Sequence, residues 1–350
     1  MAKYSLLCLD CGATYKSTYH TQICEKCYGI LEVVYRSISL PGRIRSFWDM
    51  SGVLPDSDYM ELHLGNTDVV KIEKNAYAKL EFQNPTRSFK DRGSAVEVSK
   101  ANDLGHAEVV CASTGNMAYS VAYYSKIYGL RSKIFISKDA NPDKLKYIKD
   151  THNASVVRIN GDFTKAQEAA VAYSIKEGVF LAGDYCYRKE GQKTIAYELD
   201  YQLPGASDII IPVGNATLFS GMYKGFWEMK GKRKNKRVPR LIGVEAEGCS
   251  PLVKAYKDKR ELKYQQPKTR ADAIAVGYPT FWKQAIEGMR RSRGFALSVS
   301  DLEMESARNK LYMKQGLMVE LGGAATAAAY EKVGNELGRR VALILSGSNT

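Results

Sequence analysis

The stretch Ala107-Glu-Val-Val-Cys-Ala-Ser-Thr-Gly-Asn-Met-Ala-Tyr-Ser-Val-Ala-Tyr-Tyr-Ser-Lys-Ile-Tyr-Gly129 changes its period in the middle. Its first third is a short apolar run ending in Ser113, which reads as a buried strand. From Thr114 onward the apolar residues recur at helical spacing. The same alternation returns along the chain. RSKIFIS (131–137), ASVVRIN (154–160), SDIIIPVG (207–214), RLIGVEAEG (240–248) and VALILSGS (341–348) read as strands. NPDKLKYIKDT (141–151), DFTKAQEAAVAYSIKEG (162–178) and LFSGMYKGFWEMK (218–230) read as helices. Near-continuous Val/Ile strands alternating with helices predict parallel sheets covered on both faces, an α/β fold. Ligands of such sheets bind at the carboxyl ends of strands, so chemistry is expected in the turns that follow them.

The chain has 350 residues, enough for two domains and a small appendage. It is 45% hydrophobic and 25% charged, the balance of a folded globular protein. No apolar run reaches the length of a membrane span, and Asp10 ends the short apolar stretch at the start. A cytoplasmic protein is expected. The formal charge of +13 raises the question of a nucleic-acid partner. The densest basic cluster, Lys230–Arg240, lies between a helix and a strand and has no interleaved aromatics, so a solvated connection is expected there.

Cys8, Cys11, Cys24 and Cys27 form two CxxC pairs within residues 1–36, and ILEVVY reads as a strand behind them. Paired knuckles of this kind can hold a tetrahedral zinc ion, whose binding would supply folding energy that so small a unit lacks. Four reduced thiols without metal are the alternative. With all four positions filled by protein, the role is structural.

Three turns carry the remaining chemistry. Ser113, Thr114, Gly115 and Asn116 offer hydroxyls and amides at a helix start, a cradle suited to a carboxylate. Simple N-capping would account for them equally well. Gly214, Asn215, Ala216, Thr217 and Leu218 follow a buried strand, and their amides could hold a phosphate. No GK[ST] follows, which excludes a nucleoside triphosphate loop. The third turn is NPTRSFKDRGS, Asn84–Ser94, with Lys90 just before a helix. A helix N-terminus and partial burial both lower a lysine pKa and favour attack on an aldehyde. A nucleophilic lysine, a phosphate cup and a carboxylate cradle together suit pyridoxal 5′-phosphate and an amino-acid substrate. Ser346, at the end of the last strand, could meet the pyridine nitrogen, and a neutral hydroxyl there favours elimination and replacement over transamination.

These residues resemble the threonine synthase family of fold-type II pyridoxal-phosphate enzymes. NPTRSFKDRG is similar to the family's NPTGSFKDRG, and ASTGNMAYS to ASTGNTAAS. YRKEGQKTIAYEL, PVGNATL, GVEAEGCSPL and VELGGAATAAAYEK follow in the family's order. A cysteine-rich N-terminus also occurs in many members. The resemblance implies a tryptophan-synthase-β-like fold of two doubly wound α/β domains behind a zinc-ribbon-like unit. We expect that unit at 1–36, a large cofactor-binding domain at 37–100 and 205–350, and a small domain at 101–204. Lys90 would carry the cofactor and shuttle protons. Asn116 would face the ring's phenolic oxygen, Gly214–Leu218 the phosphate, and Ser346 the pyridine nitrogen. Ser113, Thr114 and Asn116 would bind the substrate carboxylate, with Arg188 and Lys193 as candidates for a substrate phosphate. The implied reaction is conversion of O-phosphohomoserine and water to threonine and phosphate, by a homodimer with no nucleic-acid or membrane partner.

Some positions depart from the family pattern. Arg87 stands where the family has glycine and brings a charge toward the substrate side. Met117 replaces a threonine, Tyr185 an asparagine, and Thr217-Leu218 a Gly-Asn pair. A related replacement enzyme, such as a cysteate synthase using phosphoserine and sulfite, is the alternative. A serine or threonine dehydratase is a further one. A nucleic-acid-binding zinc-ribbon protein would leave Lys90, Asn116 and Gly214 without a role.

Overall fold

The computed structural model describes residues 3–60, 63–113, 115–138, 148, 151, 153–161, 163–233 and 237–348. The helix expected over 141–151 lies almost wholly outside them, as does part of the Lys230–Arg240 cluster. The chain forms two compact units. The first holds Met1–Pro41, Phe47–His63 and Lys90–Gly191. The second holds Gly42–Ser46, Leu64–Phe89 and Gln192–Thr350.

In the first unit, β1 (Tyr4–Cys8) lies between β2 (Thr14–Lys16) and β3 (Leu31–Tyr35) in an antiparallel sheet that carries the cysteine knuckles. Strands β4 (Val69–Lys71) and β5 (Ala76–Leu80) come next in the chain and belong to the second unit. The first unit resumes with α1 (Lys90–Asp103), β6 (Glu108–Ala112), α2 (Asn116–Ile127), β7 (Arg131–Ser137), β8 (Ala154–Ile159), α3 (Phe163–Glu177), β9 (Phe180–Leu181) and α4 (Cys186–Gln192). Its second sheet is wholly parallel in the order β8-β7-β6-β9. Val110, Ala112, Phe135 and Leu181 pack with Ala166 and Ala170 of α3 to form a core on one face. Because Val110 pairs with Leu181, the turns after β6 and β9 leave the same sheet edge side by side.

The second unit contains α5 (Thr194–Gln202), β10 (Asp208–Pro212), α6 (Thr217–Lys232), β11 (Arg240–Ala246), α7 (Pro251–Asp258), α8 (Trp282–Ser292), β12 (Ala296–Val299), α9 (Asp301–Gln315), α10 (Leu321–Val333) and β13 (Val341–Leu345). Its sheet runs β12-β11-β10-β13-β5-β4, parallel except for β4, which pairs antiparallel with β5. β10, β11 and β13 are buried at almost every residue, as central strands covered on both faces must be. The alanine-rich face of α10 packs on them with Ile210, Ile242, Val244 and Leu343. Ile210 pairs with Leu343, so the turns after β10 and β13 also emerge together. The α/β class expected from the sequence is what the structure has.

Buried charge is handled by pairing. Lys79 and Glu198, both without exposed side-chain surface, meet at 2.6 Å in the second unit. Thr67 O and Gln202 Oε1 take further bonds from Lys79 Nζ, at 2.6 and 2.8 Å. Glu245 is different: it lies under the start of α7, accepting from Leu252 N at 3.3 Å and Val253 N at 2.8 Å. Burial outweighs these bonds and pushes its carboxyl up to about 8. An unfolded glutamate ionises near pH ~4.3. Between that pH and about 8 the native state therefore binds a proton that the unfolded state has lost. Stability falls as pH rises through this window, by at most about 1.4 kcal/mol per pH unit. Glu245→Gln is expected to flatten that slope in urea denaturation followed across the window. An unchanged slope would mean Glu245 is ionised in the native protein.

Candidate active site

Each unit presents a cluster of the expected residues at the carboxyl edge of its parallel sheet. In the first unit, β6 runs into Ser113, whose amide bonds Phe135 O at 3.2 Å. Gly115 caps α2 with no side-chain bond, its own amide pointing to Ser113 Oγ at 3.4 Å. Asn116 opens the helix and is half-buried. Thr114 lies outside the described residues. Met117 is buried.

Lys90 is the first residue of α1. Its side chain is 18% exposed, and Nζ stands 3.5 Å from Oδ1 of Asp184, in the loop after β9. Burial pushes the amine below the usual lysine range, Asp184 pulls it back up, and Arg188 adds to the depression. The result is an amine that loses its proton more readily than a surface lysine, which nucleophilic use requires.

Arg188, expected as a candidate for a substrate phosphate, is held by bonds within the first unit. Its side chain has no exposed surface, and it forms an ion pair with Glu97, which is equally buried. Nε donates to Gly183 O at 2.8 Å, Nη2 to Ser94 Oγ at 3.1 Å, and Nη1 to Lys90 O at 3.3 Å. Gly183 N in turn donates to Glu97 Oε2 at 3.3 Å. The guanidinium thus ties α1 to the loop that carries Asp184. Burial pushes the Glu97 carboxyl up to about 7, against the pull of Arg188. The surrounding backbone is too close for larger residues. A Cβ on Gly93 would lie 2.5 Å from Arg188 Cγ, and one on Gly191 would lie 1.9 Å from Arg92 O.

In the second unit, Val213 N still bonds Val244 O at 2.8 Å, and the chain then turns sharply. Gly214 packs under Ala273, whose carbonyl would be 3.0 Å from an added Cβ. Ala216 adopts a left-handed conformation, φ 61°, and α6 begins at Thr217 without a side-chain cap. Thr217 Oγ1 and Ser220 Oγ are buried and have no hydrogen-bond partner among the described residues. Uncapped amides and two unpartnered hydroxyls at one helix start are the donors a phosphate would use. Asn215 is braced by Phe281 N, which bonds its carbonyl at 3.0 Å, and by Thr280 Oγ1, which meets Oδ1 at 3.3 Å. Leu218 contributes only its amide, its side chain being core.

Ser346 follows β13, almost fully buried, with Oγ 3.5 Å from Glu320 Oε1 and its carbonyl taking a bond from Phe89 N at 2.9 Å. Glu320 caps the start of α10, and Gly323 leaves room for the Ser346 backbone, which an added Cβ would approach to 3.2 Å. Arg87 is exposed, with φ 60°. Glycine suits that conformation without strain, which is the physical reason for glycine in the related motif. Its Nη2 donates to Ser348 Oγ at 3.0 Å, while Ser348 N bonds Arg87 O at 3.0 Å. Lys193, the other candidate for a substrate phosphate, is fully buried and pairs with Glu228 at 3.0 Å.

Each unit by itself offers part of what pyridoxal phosphate needs: the first a lysine of lowered proton affinity, the second a helix start with amides and buried hydroxyls suited to a phosphate. The four N-terminal cysteines also converge: their sulfur atoms all lie within 4.8 Å of one another. Cys8–Cys27 and Cys11–Cys24 stand at 3.5 and 3.6 Å. Tetrahedral zinc, with Zn–S of about 2.3 Å, needs sulfurs about 3.8 Å apart. Asp184, Glu97, Ser220 and Glu320 were not singled out from sequence. None of the four stands in a sequence pattern that signals its role.

Residues 60–347 match the family described as pyridoxal-phosphate dependent enzymes. The threonine synthase of Methanosarcina acetivorans is 34% identical, over 94% of this chain and 87% of its own. That of Methanocaldococcus jannaschii is 31% identical, over 93% and 86%. Among solved structures, maize serine racemase superposes with a TM-score of 0.72 at 21% identity, covering 82% of this chain and 89% of that one, a likeness of fold. A T.th. threonine deaminase gives 0.66 at 26% identity, covering 79% and 88%. The chain belongs to the pyridoxal-phosphate-dependent enzymes of fold type II and, within them, to the threonine synthase family.

If Arg188 is a strut, Arg188→Met should cost on the order of 3–5 kcal/mol in chemical denaturation, because buried Glu97 loses its partner and Gly183 O, Ser94 Oγ and Lys90 O lose their donor. Unchanged stability with a raised KM for a phosphorylated substrate would restore the binding role.

Proposed function

We propose that this protein is a threonine synthase, releasing phosphate from O-phosphohomoserine and adding water to give threonine. The single observation that carries the reading is Lys90, the first residue of α1, with burial lowering its amine below the usual range. It stands in a chain that is similar over 94% of its length to a threonine synthase. When bound, the cofactor supplies an aldehyde for a lysine and a conjugated ring that takes up negative charge beside it.

The chain's own residues do the rest. Lys90 Nζ attaches the cofactor and, once released by substrate, holds and moves the protons of elimination. Amides of Gly214–Leu218, with the Thr217 and Ser220 hydroxyls, hold the cofactor phosphate at the start of α6. Ser346 Oγ serves the pyridine nitrogen, Asn116 the phenolic oxygen, and Ser113, Thr114 and Asn116 the substrate carboxylate. Arg87, exposed and bonded to Ser348, is a cationic candidate for the substrate phosphate beside the buried Arg188 and Lys193. Cys8, Cys11, Cys24 and Cys27 hold a structural zinc ion. No helix among the described residues is long and apolar enough to cross a membrane. We assign the enzyme to the cytoplasm, as a homodimer.

The test is turnover. Purified protein supplied with pyridoxal phosphate should release phosphate from O-phosphohomoserine and form threonine. Lys90→Ala should lower that rate by at least about 10⁴-fold, since attachment and proton transfer are lost together. Phosphate release from O-phosphoserine instead, with sulfite incorporated, would replace this reading with a cysteate-forming one.

A further inference from the structure

The reactive amine has a carboxylate neighbour, and that neighbour is held from an unexpected direction. Asp184 is 8% exposed and sits between Leu181, the end of β9, and Tyr187 in α4. Both ends of this short loop are bonded to one side chain of the cysteine-bearing unit, Gln22, which is 1% exposed. Gln22 Nε2 donates to Leu181 O at 2.9 Å, and its Oε1 accepts from Tyr187 N at 3.0 Å. The thiol of Cys186 approaches the same oxygen at 3.6 Å. Three further contacts press the same unit against α4. Tyr4 and Tyr187 share a hydroxyl hydrogen bond of 3.1 Å, Tyr35 Oη donates to Glu190 Oε2 at 2.7 Å, and Lys189 pairs with Glu32. A buried amide with donor and acceptor both satisfied across a loop fixes that loop's conformation.

We propose that Asp184 is a further catalytic residue, which orients the Lys90 amine and holds its proton, and that Gln22 is the positioning residue that keeps it there. The inference rests on the reading of Lys90 as the cofactor-bearing lysine. The charged groups that face Lys90 are Asp184, Arg188 and Glu97. Arg188 and Glu97 pair with one another, and the carboxylate of Asp184 stands 3.5 Å from the amine. Burial weakens the amine's hold on its proton; the carboxylate at 3.5 Å opposes that tendency and keeps Nζ within reach. Nothing is transferred to Asp184: the N–H bond stays on Lys90 until a substrate atom takes the proton.

The test uses the full chain stripped of cofactor. The rate at which it captures pyridoxal 5′-phosphate is followed by visible absorbance from about pH 6 to about pH 10, with unfolding temperature measured in parallel. Removing the carboxylate lowers the proton affinity of the amine. Asp184→Asn should therefore move the midpoint of the capture profile to lower pH and raise the rate below it about three- to tenfold. Gln22→Leu should move the midpoint the same way by less, and should add nothing in the Asp184→Asn background. An unmoved midpoint in Asp184→Asn overturns the catalytic role. A Gln22→Leu shift that persists in the double variant, or a lower unfolding temperature with an unmoved midpoint, overturns the positioning role. No capture by the unsubstituted chain would remove the reading of Lys90 itself, and the inference with it.

Discussion

An ammonium group loses stabilisation when it loses water, and the loss grows as apolar atoms close around it. Lys90 is placed where that penalty is partial. Its side chain keeps 18% of its surface, its amine stands at a helix start, and one carboxylate faces it at 3.5 Å. Too little burial would leave a lysine charged at neutral pH, and too much would leave it unable to carry a proton. The rest of the first unit serves that balance. α1 cannot shift without breaking the Arg188 bonds to Ser94, Glu97 and the Lys90 carbonyl. The loop behind it cannot shift without breaking those of Gln22.

The second unit solves a different problem, the storage of backbone donors that fold chemistry leaves unsatisfied. A helix start normally finishes with a serine, threonine or aspartate cap. α9 does so, with a full capping box from Ser300 and Glu303. α6 does not, and its neighbouring hydroxyls are buried without partners. Left-handed Ala216, φ 61°, forms the turn from which α6 starts. Other helices also start without a side-chain cap, so it is the pair of buried, unpartnered hydroxyls of Thr217 and Ser220 that marks the turn after β10 as a place for an anion.

Much of this was legible in the sequence because it depends on period and spacing. β6, β7, β8, β10, β11 and β13 are apolar runs rich in Val, Ile and Leu, and they lie where the runs are. β5, Ala76–Leu80, is alanine-rich with a lysine, and β9 has two residues; neither carries a strand signal, and both owe their place to neighbouring strands. The cysteine pairs were visible because metal ligands come at fixed short intervals. Burial was not visible. Arg188 and Lys193 have the charge of phosphate binders, and the sequence did not show that both are buried against the carboxylates of Glu97 and Glu228. Asp184 was silent for the converse reason, since its meaning lies in a lysine brought to it by folding. At Arg87 the family's glycine was noticed as a change of charge, whereas the structure shows a change of backbone strain as well, with φ at 60°.

The central claim is that Lys90, among all the lysines of the chain, is the one that joins the cofactor. Borohydride reduction of the cofactor-bound protein makes that bond permanent, and peptide mass spectrometry then locates it. The account predicts the added mass on the peptide that contains Ser88-Phe89-Lys90-Asp91 and on no other. Its appearance on a different lysine, or on none, would contradict the account.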